Sequence, residues 1–311
     1  MTFTGRVKEE IINTDANPIE AISELAAFIR FDAKIYQGVI TLVIENAGIA
    51  RRIYKFIKGI YGVNVNIIVR TQKRFRVHQI YILEIKEKYN FILETLNIEE
   101  NGKRILPNDY LLESDEEKKA FIRGLFLSDG SITDPKNGSY HMEFTVRTSS
   151  DAIFVKNLLA YFEADARILK RVKNYMIYIK SAETISEFIK MFGAVNSLFY
   201  FEDIRIYRDH KNMVNRLNNC EIANQEKSIK NGLKQIKDIE YLKQNNLTSL
   251  LDVRTNLIID YRLKYPETSY LELAEIISRE TEKKIGKSGI NHAFIKVREL
   301  IRNHEDKEEI L

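Results

Sequence analysis

One cysteine and four prolines in 311 residues are the first scarcities, and each removes possibilities. A lone Cys220 excludes an intrachain disulfide and a cysteine-built zinc cage, and fits a reducing compartment; the thiol is expected to be packed rather than reactive. The first ten residues hold no apolar core of the kind a secretory leader needs, so none is expected. The longest apolar stretch, Val39–Ile44 with Thr41 inside it, falls far short of the roughly 20 residues that span a bilayer. There is no Walker loop, no G-x-G-x-x-G and no serine nucleophile elbow. The five histidines are scattered without metal-ligand spacing. These absences point to a cytoplasmic chain with no membrane partner, no cofactor and no metal. With 44% hydrophobic residues and 30% charged, it has enough apolar material for a core and is not a disordered polymer.

The net charge is only +4, from 48 basic and 44 acidic residues, so its distribution carries more than its sum. Residues 51–88 hold ten Lys or Arg against two acids, Glu84 and Glu87, and residues 166–180 hold five basic residues and no acid. Solvated surface explains such runs most simply, but two separate basic segments are also what polyanion binders display.

An internal repeat changes that balance. Arg70-Thr-Gln-Lys-Arg-Phe-Arg-Val-His-Gln-Ile-Tyr-Ile82 lies over Arg167-Ile-Leu-Lys-Arg-Val-Lys-Asn-Tyr-Met-Ile-Tyr-Ile179 at a constant offset of 97, with six identities in thirteen positions. The same offset places Asp32 on Asp129 and the segment around Ala26 and Ala27 on that around Gly124. The first two-thirds of the chain is therefore a duplicated unit. Each copy reads as a helix with small residues, an Asp-Ala or Asp-Gly turn, a β-rich stretch, an amphipathic helix and a basic hairpin. The small residues let two helices approach closely, which predicts packing of the copies about a pseudo-twofold axis. If the first basic segment stays extended, Arg70, Arg74 and Arg76 share one face; a turn inside it breaks that parity.

Ile122-Arg-Gly-Leu-Phe-Leu-Ser-Asp-Gly130 resembles the LAGLIDADG nonapeptide of homing endonucleases, and Leu25-Ala-Ala-Phe-Ile-Arg-Phe-Asp-Ala33 is a weaker second copy. Further along, Asn215-Arg-Leu-Asn-Asn-Cys-Glu-Ile-Ala-Asn224 with Lys227, and Lys287-Ser-Gly-Ile-Asn-His292, together with residues 3–10, resemble the WhiA regulators of Gram-positive bacteria over essentially the whole chain. The resemblance implies an α+β fold: a duplicated LAGLIDADG-like saddle, then an all-α helix-turn-helix domain. It places the saddle at residues 1–205, in halves of about 1–105 and 106–205, a linker at 206–220 and the helical domain at 221–311. It implies transcription regulation tied to sporulation, cell division and chromosome segregation, without nucleolytic activity and at the nucleoid. Double-stranded DNA is the implied partner, with RNA polymerase or a sigma factor as a second.

Asp32 and Asp129 fall where nucleolytic relatives of the fold hold metal ions, and two facing carboxylates can serve hydrolysis that way. Alternatively, Asp-Gly merely closes a helix, with Gly130 in the left-handed conformation. Ala33 in place of glycine, and Arg30 and Arg123 inside the motifs as cations able to replace a metal, favour relic acids over catalytic ones. DNA contacts are expected from Arg70, Lys73, Arg74 and Arg76 in one copy and Arg167, Lys170, Arg171 and Lys173 in the other.

The C-terminal third reads as helices: one over residues 221–242 with an apolar stripe including Ile222, Ile229, Leu233, Ile236 and Ile239, and another from Ser249 to Lys264, stopped by Pro266. A third follows the capping box of Ser269 and Glu272, and a fourth is capped by Ser288. Ile290, Phe294, Val297 and Ile301 would face inward in the last helix. Lys287, Ser288, Asn291, His292, Lys296 and Arg298 would then lie on its outer or N-terminal surface, where a recognition helix meets DNA. An active metal-dependent nuclease and a helical module that docks onto RNA polymerase or a cell-division component are the competing classes.

Overall fold

The structure is a computed structural model that describes residues 1–72, 78–100 and 102–308. It contains two compact units, residues 1–208 and 209–311, each with its own apolar core. No helix among the described residues is long and apolar enough to cross a membrane.

The first unit opens with α1 (Phe3–Ile12), whose Phe3, Val7 and Ile11 are buried at helical spacing. One copy of the repeat follows as α2 (Pro18–Asp32), β1 (Lys34–Tyr36), β2 (Val39–Ile44), α3 (Ala47–Tyr61), β3 (Val65–Gln72), β4 (His78–Ile85) and α4 (Tyr89–Thr95). A small hairpin, β5 (Glu99–Glu100) and β6 (Lys103–Arg104), leads into the second copy. That copy is α5 (Asp115–Asp129), β7 (Gly130–Ile132), β8 (Met142–Val146), α6 (Ser149–Tyr161), β9 (Arg167–Lys170), β10 (Tyr175–Ile179) and α7 (Ala182–Met191). The sheets have matching antiparallel orders, β1-β2-β4-β3 and β7-β8-β10-β9, so the duplication in the sequence is a duplication of topology.

Helices α2 and α5 form the centre of this unit. A Cβ on Gly124 would stand 2.2 Å from the Glu24 carbonyl oxygen, so only glycine permits this approach. Ala26 and Ala27 are likewise buried. Charges buried beside this contact are paired: Arg123 Nε lies 2.7 Å from Glu24, Arg52 Nε 2.6 Å from Glu24, and Arg30 Nη2 2.6 Å from Asp151.

Helix α8 (Val195–Gln244) is continuous for 50 residues. Its start is capped by a carboxylate from α1, with Glu10 accepting from the Asn196 and Ser197 amides at 2.8 and 2.9 Å. Residues 206–220, expected as a linker, are helical because that stretch contains neither proline nor glycine. Cys220 is exposed on it, against the expectation of a packed thiol, since residues 211–227 all face solvent. The inward face near the helix end is Gly232, Gln235, Ile239 and Leu242; Ile222, Ile229 and Leu233, expected in the apolar stripe, are exposed.

The second unit adds α9 (Val253–Lys264), α10 (Tyr270–Thr281) and α11 (Lys287–Glu308). Helix α9 begins later than Ser249 because Asp252 supplies the cap, accepting the Thr255 N–H at 2.7 Å, while 247–250 form a separate 3-10 turn. The Ser269–Glu272 capping box of α10 is present in both directions.

Candidate nucleic-acid interface

The two motif helices end at Asp32 and Asp129. After Asp129 the chain leaves extended, with Gly130 at φ −89°, and not in the left-handed conformation that the alternative, helix-closing reading called for. Glycine is required there by crowding instead, since a Cβ would lie 2.6 Å from Phe126 Cα. Burial pushes the Asp32 carboxyl up to about 6, and repulsion from Asp129 adds to it, against the pull of Arg147, Lys8 and Lys34. Asp129, the more exposed of the two, moves the same way under the protein crowded around it.

The cations that act on these acids are Lys8 and Arg147, with Lys34 also at Asp32, and not Arg30 and Arg123. On a helix with 100° per residue, Arg30 points almost opposite to Asp32 and goes to Asp151. Arg123 lies nearly two turns before Asp129 and goes to Glu20 and Glu24. Lys8, from α1, donates to the Leu127 carbonyl at 3.2 Å; burial lowers its ammonium to about 8 although both aspartates attract it. Arg147, just past β8, donates to the Asp32 carbonyl at 3.2 Å. Among the described residues no group of three His, Cys, Asp or Glu could hold a metal ion. Lys8 was missed in the sequence because nothing in the α1 pattern tells which acid a residue beside its buried stripe will meet.

Strand register sorts the basic residues by face. In the first sheet Ile40, Leu42, Ile44, Leu83 and Ile85 are buried, so the opposite face carries Val43, Ile68, Arg70, Ile80 and Ile82. Arg70 is exposed there among branched apolar residues. Lys73, Arg74 and Arg76 lie outside the described residues, between Gln72, the last paired residue of β3, and its partner His78 in β4. In the second sheet Arg167, Leu169, Met176, Tyr178 and Glu143 share the outer face, with Arg171 following. Arg171 approaches Glu143 at 3.7 Å, and His141 bonds the same carboxylate at 3.0 Å. Lys170 has the opposite parity, and Lys173 lies in the turn; both are exposed.

The second unit displays its charge differently. Ile290, Phe294 and Val297 of α11 are at most 1% exposed, whereas Lys287, Ser288, Asn291, His292, Lys296 and Arg298 are exposed. Five residues connect α10 to α11, and Ser278 organises them: its hydroxyl accepts the Ile285 N–H at 3.0 Å. Lys296 Nζ is 2.7 Å from Asp252, whose carboxyl is held down at about 2 by that bond and by the Thr255 amide.

Comparison with known proteins covers the whole architecture. The model of a WhiA N-terminal LAGLIDADG-like domain matches residues 18–99, that of a WhiA LAGLIDADG-like domain residues 118–211, and that of a WhiA C-terminal HTH domain residues 214–301. A probable cell division protein WhiA of Staphylococcus aureus (strain JH9) is 37% identical over 317 residues, covering 99% of this chain and all of that one. The crystal structure of a full-length WhiA from Thermatoga maritima superposes with a TM-score of 0.57 at 24% identity, covering 98% of this chain and 99% of the other. That of an N-terminal WhiA LAGLIDADG domain gives 0.51 at 25% identity, covering 62% of this chain and 90% of the other.

Proposed function

The chain belongs to the WhiA family, with two LAGLIDADG-like domains followed by a helix-turn-helix domain, and we propose that it is a transcriptional regulator of cell division, chromosome segregation and sporulation that binds duplex DNA without cutting it. The observation that carries the reading is α11, with one face sealed in the core and the other presenting Lys287, Ser288, Asn291, His292 and Lys296. An asparagine on such a helix can pair bidentately with adenine, while the lysines meet phosphates. Arg70, Arg167, Lys170, Arg171 and Lys173 supply sequence-independent attraction from the first unit, with Lys73, Arg74 and Arg76 as further contributors. Lys8 and Arg147 beside Asp32 and Asp129 support the absence of turnover, because resident cations compensate the carboxylates that a metal would need.

Binding should weaken with salt. If about six phosphates are neutralised, log K against log salt falls with a slope near −5. Asn291→Ala should relax base preference by about 1–3 kcal/mol at one position, whereas Arg171→Glu should weaken all duplexes alike. A salt-independent affinity, or the two variants exchanging effects, overturns the assignment. Incubation with duplex DNA and magnesium should leave it intact; cleavage lost in Asp129→Asn would instead establish a nuclease. A second reading draws on Val43, 43% exposed among Ile68, Ile80 and Ile82: this outer sheet face suits a protein surface, such as RNA polymerase or a sigma factor, better than a phosphate backbone.

A further inference from the structure

Arg262 is 1% exposed, yet among the described residues it forms no ion pair. Its Nη1 donates to the Thr268 carbonyl at 2.7 Å and to that of Tyr265 at 3.2 Å, and its Nε–H has no acceptor. The rings of Tyr270 and Phe294, each with its centroid 5.9 Å from the guanidinium carbon, compensate only part of the charge. A buried cation without a carboxylate is costly, because buried charges are ordinarily held by a paired opposite charge and full hydrogen bonding.

The surroundings supply the rest of such a site. Arg262 lines an open cleft of about 500 Å³ within the second unit, together with Lys227, Asn224 and Asn231 of α8, Ser269 at the start of α10, and Lys287 at the start of α11. None of its described lining residues is an acid, while Glu221, Glu267 and Glu272 line the adjoining cleft that shares Asn224, Ser228, Thr268 and Ser269. Asn224, Lys227 and Asn231 recur at helical spacing on one side of α8, so the cleft accounts for part of the Asn-rich segment that the sequence analysis set apart. Tyr270 and Leu271, the first residues of the twelve-residue α10, also line it, and their N–H groups have no acceptor within the helix. Gly232 holds α8 against the loop before α10, since a Cβ there would meet the Pro266 carbonyl at 2.0 Å.

We propose that this cleft between α8 and the first turns of α10 and α11 is an anion site that takes a phosphate group. Lys227, Lys287 and Arg262 neutralise its charge; Asn224, Asn231 and the α10 amides donate to its oxygens. Lys287 also opens the proposed recognition helix, which points to a backbone phosphate of bound duplex as the source; to that extent the inference rests on the DNA-binding reading. A free phosphorylated ligand offers the same chemistry.

The full-length protein and Lys227→Gln, a change at an exposed residue, separate these sources. Two measurements are needed: affinity for random-sequence duplex against salt, and Tm in inorganic phosphate against chloride at equal ionic strength. A backbone phosphate predicts that the variant binds every duplex roughly 3- to 10-fold more weakly at low salt, with the salt slope shallower by about one. An unchanged slope, with phosphate raising the Tm of the parent but not of the variant, supports a free phosphorylated ligand. If neither the slope nor the phosphate-dependent Tm differs, the site is refuted, whatever Asn291→Ala does to base preference. If the parent retains no duplex, the DNA-binding reading fails by itself, and the Tm comparison still decides the cleft.

Discussion

The two units handle charge in opposite ways. In the first, cations are drawn inward: Arg30, Arg52 and Arg123 are all under 10% exposed and tie helices together through Asp151, Glu24 and Glu20. In the second, Lys287, Asn291, His292, Lys296 and Arg298 stay outside a small apolar core, and the one buried cation, Arg262, has no carboxylate among the described residues. Of these three arginines only Arg52 belongs to a basic run counted in the sequence, so burial uses particular arginines as fasteners and takes little from the charge the first unit offers a polyanion. Buried pairs organise a fold, while exposed lysines on a rigid helix remain available to a ligand.

The largest expected effect tests the inward half of that contrast. Asp151 accepts from Arg30 at 2.6 Å and from Arg104 at 3.3 Å, and it also bonds the Thr148 cap of α6. Asp151→Ala leaves Arg30 buried and unpaired, which should cost about 3–5 kcal/mol, read from the urea midpoint at unchanged slope. A loss below 1 kcal/mol would mean that these pairs are surface-like and the contrast is only apparent.

Most of the fold was legible because its signals are local or repeated. The 97-residue offset exposed the duplication, Gly124 and its neighbours announced the close helix pair, and Ser269 with Glu272 marked the start of α10. Partners set by tertiary packing were not. Arg30 and Arg123 stand within a few residues of the motif acids in sequence, yet helical rotation turns them away, and Lys8 reaches the site from more than twenty residues upstream of Asp32. The length of α8 was hidden for another reason: residues 206–220 are polar like a linker, but they contain no helix breaker. In the interface, outward positions on α11 followed from its apolar period, whereas the cleft lined by Arg262 depends on three helices meeting.

A medium effect concerns the paired helix ends. With its carboxyl raised to about 6, Asp32 favours the fold when protonated; that contribution is full below about pH 4 and is lost as pH rises through 6. Asp32→Asn should accordingly stabilise the protein at pH 7 by up to about 3 kcal/mol, less what solvent removes at this half-buried position, and the gain should vanish near pH 4. Lys8 shows the complementary sign: lowered to about 8, it opposes folding while charged, and this opposition fades as pH rises from 8 towards 10.5. A destabilised Asp32→Asn at pH 7 would instead make the aspartate an essential counter-ion for Lys8 and Arg147.

The smallest effect probes the outward half. Lys296 and Asp252 lie 2.7 Å apart but are 59% and 46% exposed, so their attraction contributes little to stability, within about 1 kcal/mol. Asp252 also caps α9, a role asparagine fills nearly as well. Asp252→Asn should thus leave the urea midpoint almost unchanged while releasing the Lys296 ammonium. If Lys296 meets a phosphate, as proposed, this variant binds every duplex slightly more tightly, with a steeper salt dependence, because the lysine no longer has to leave a carboxylate first. Unchanged binding would assign Lys296 to holding α11 against the start of α9, and would leave phosphate contact at this helix to Lys287.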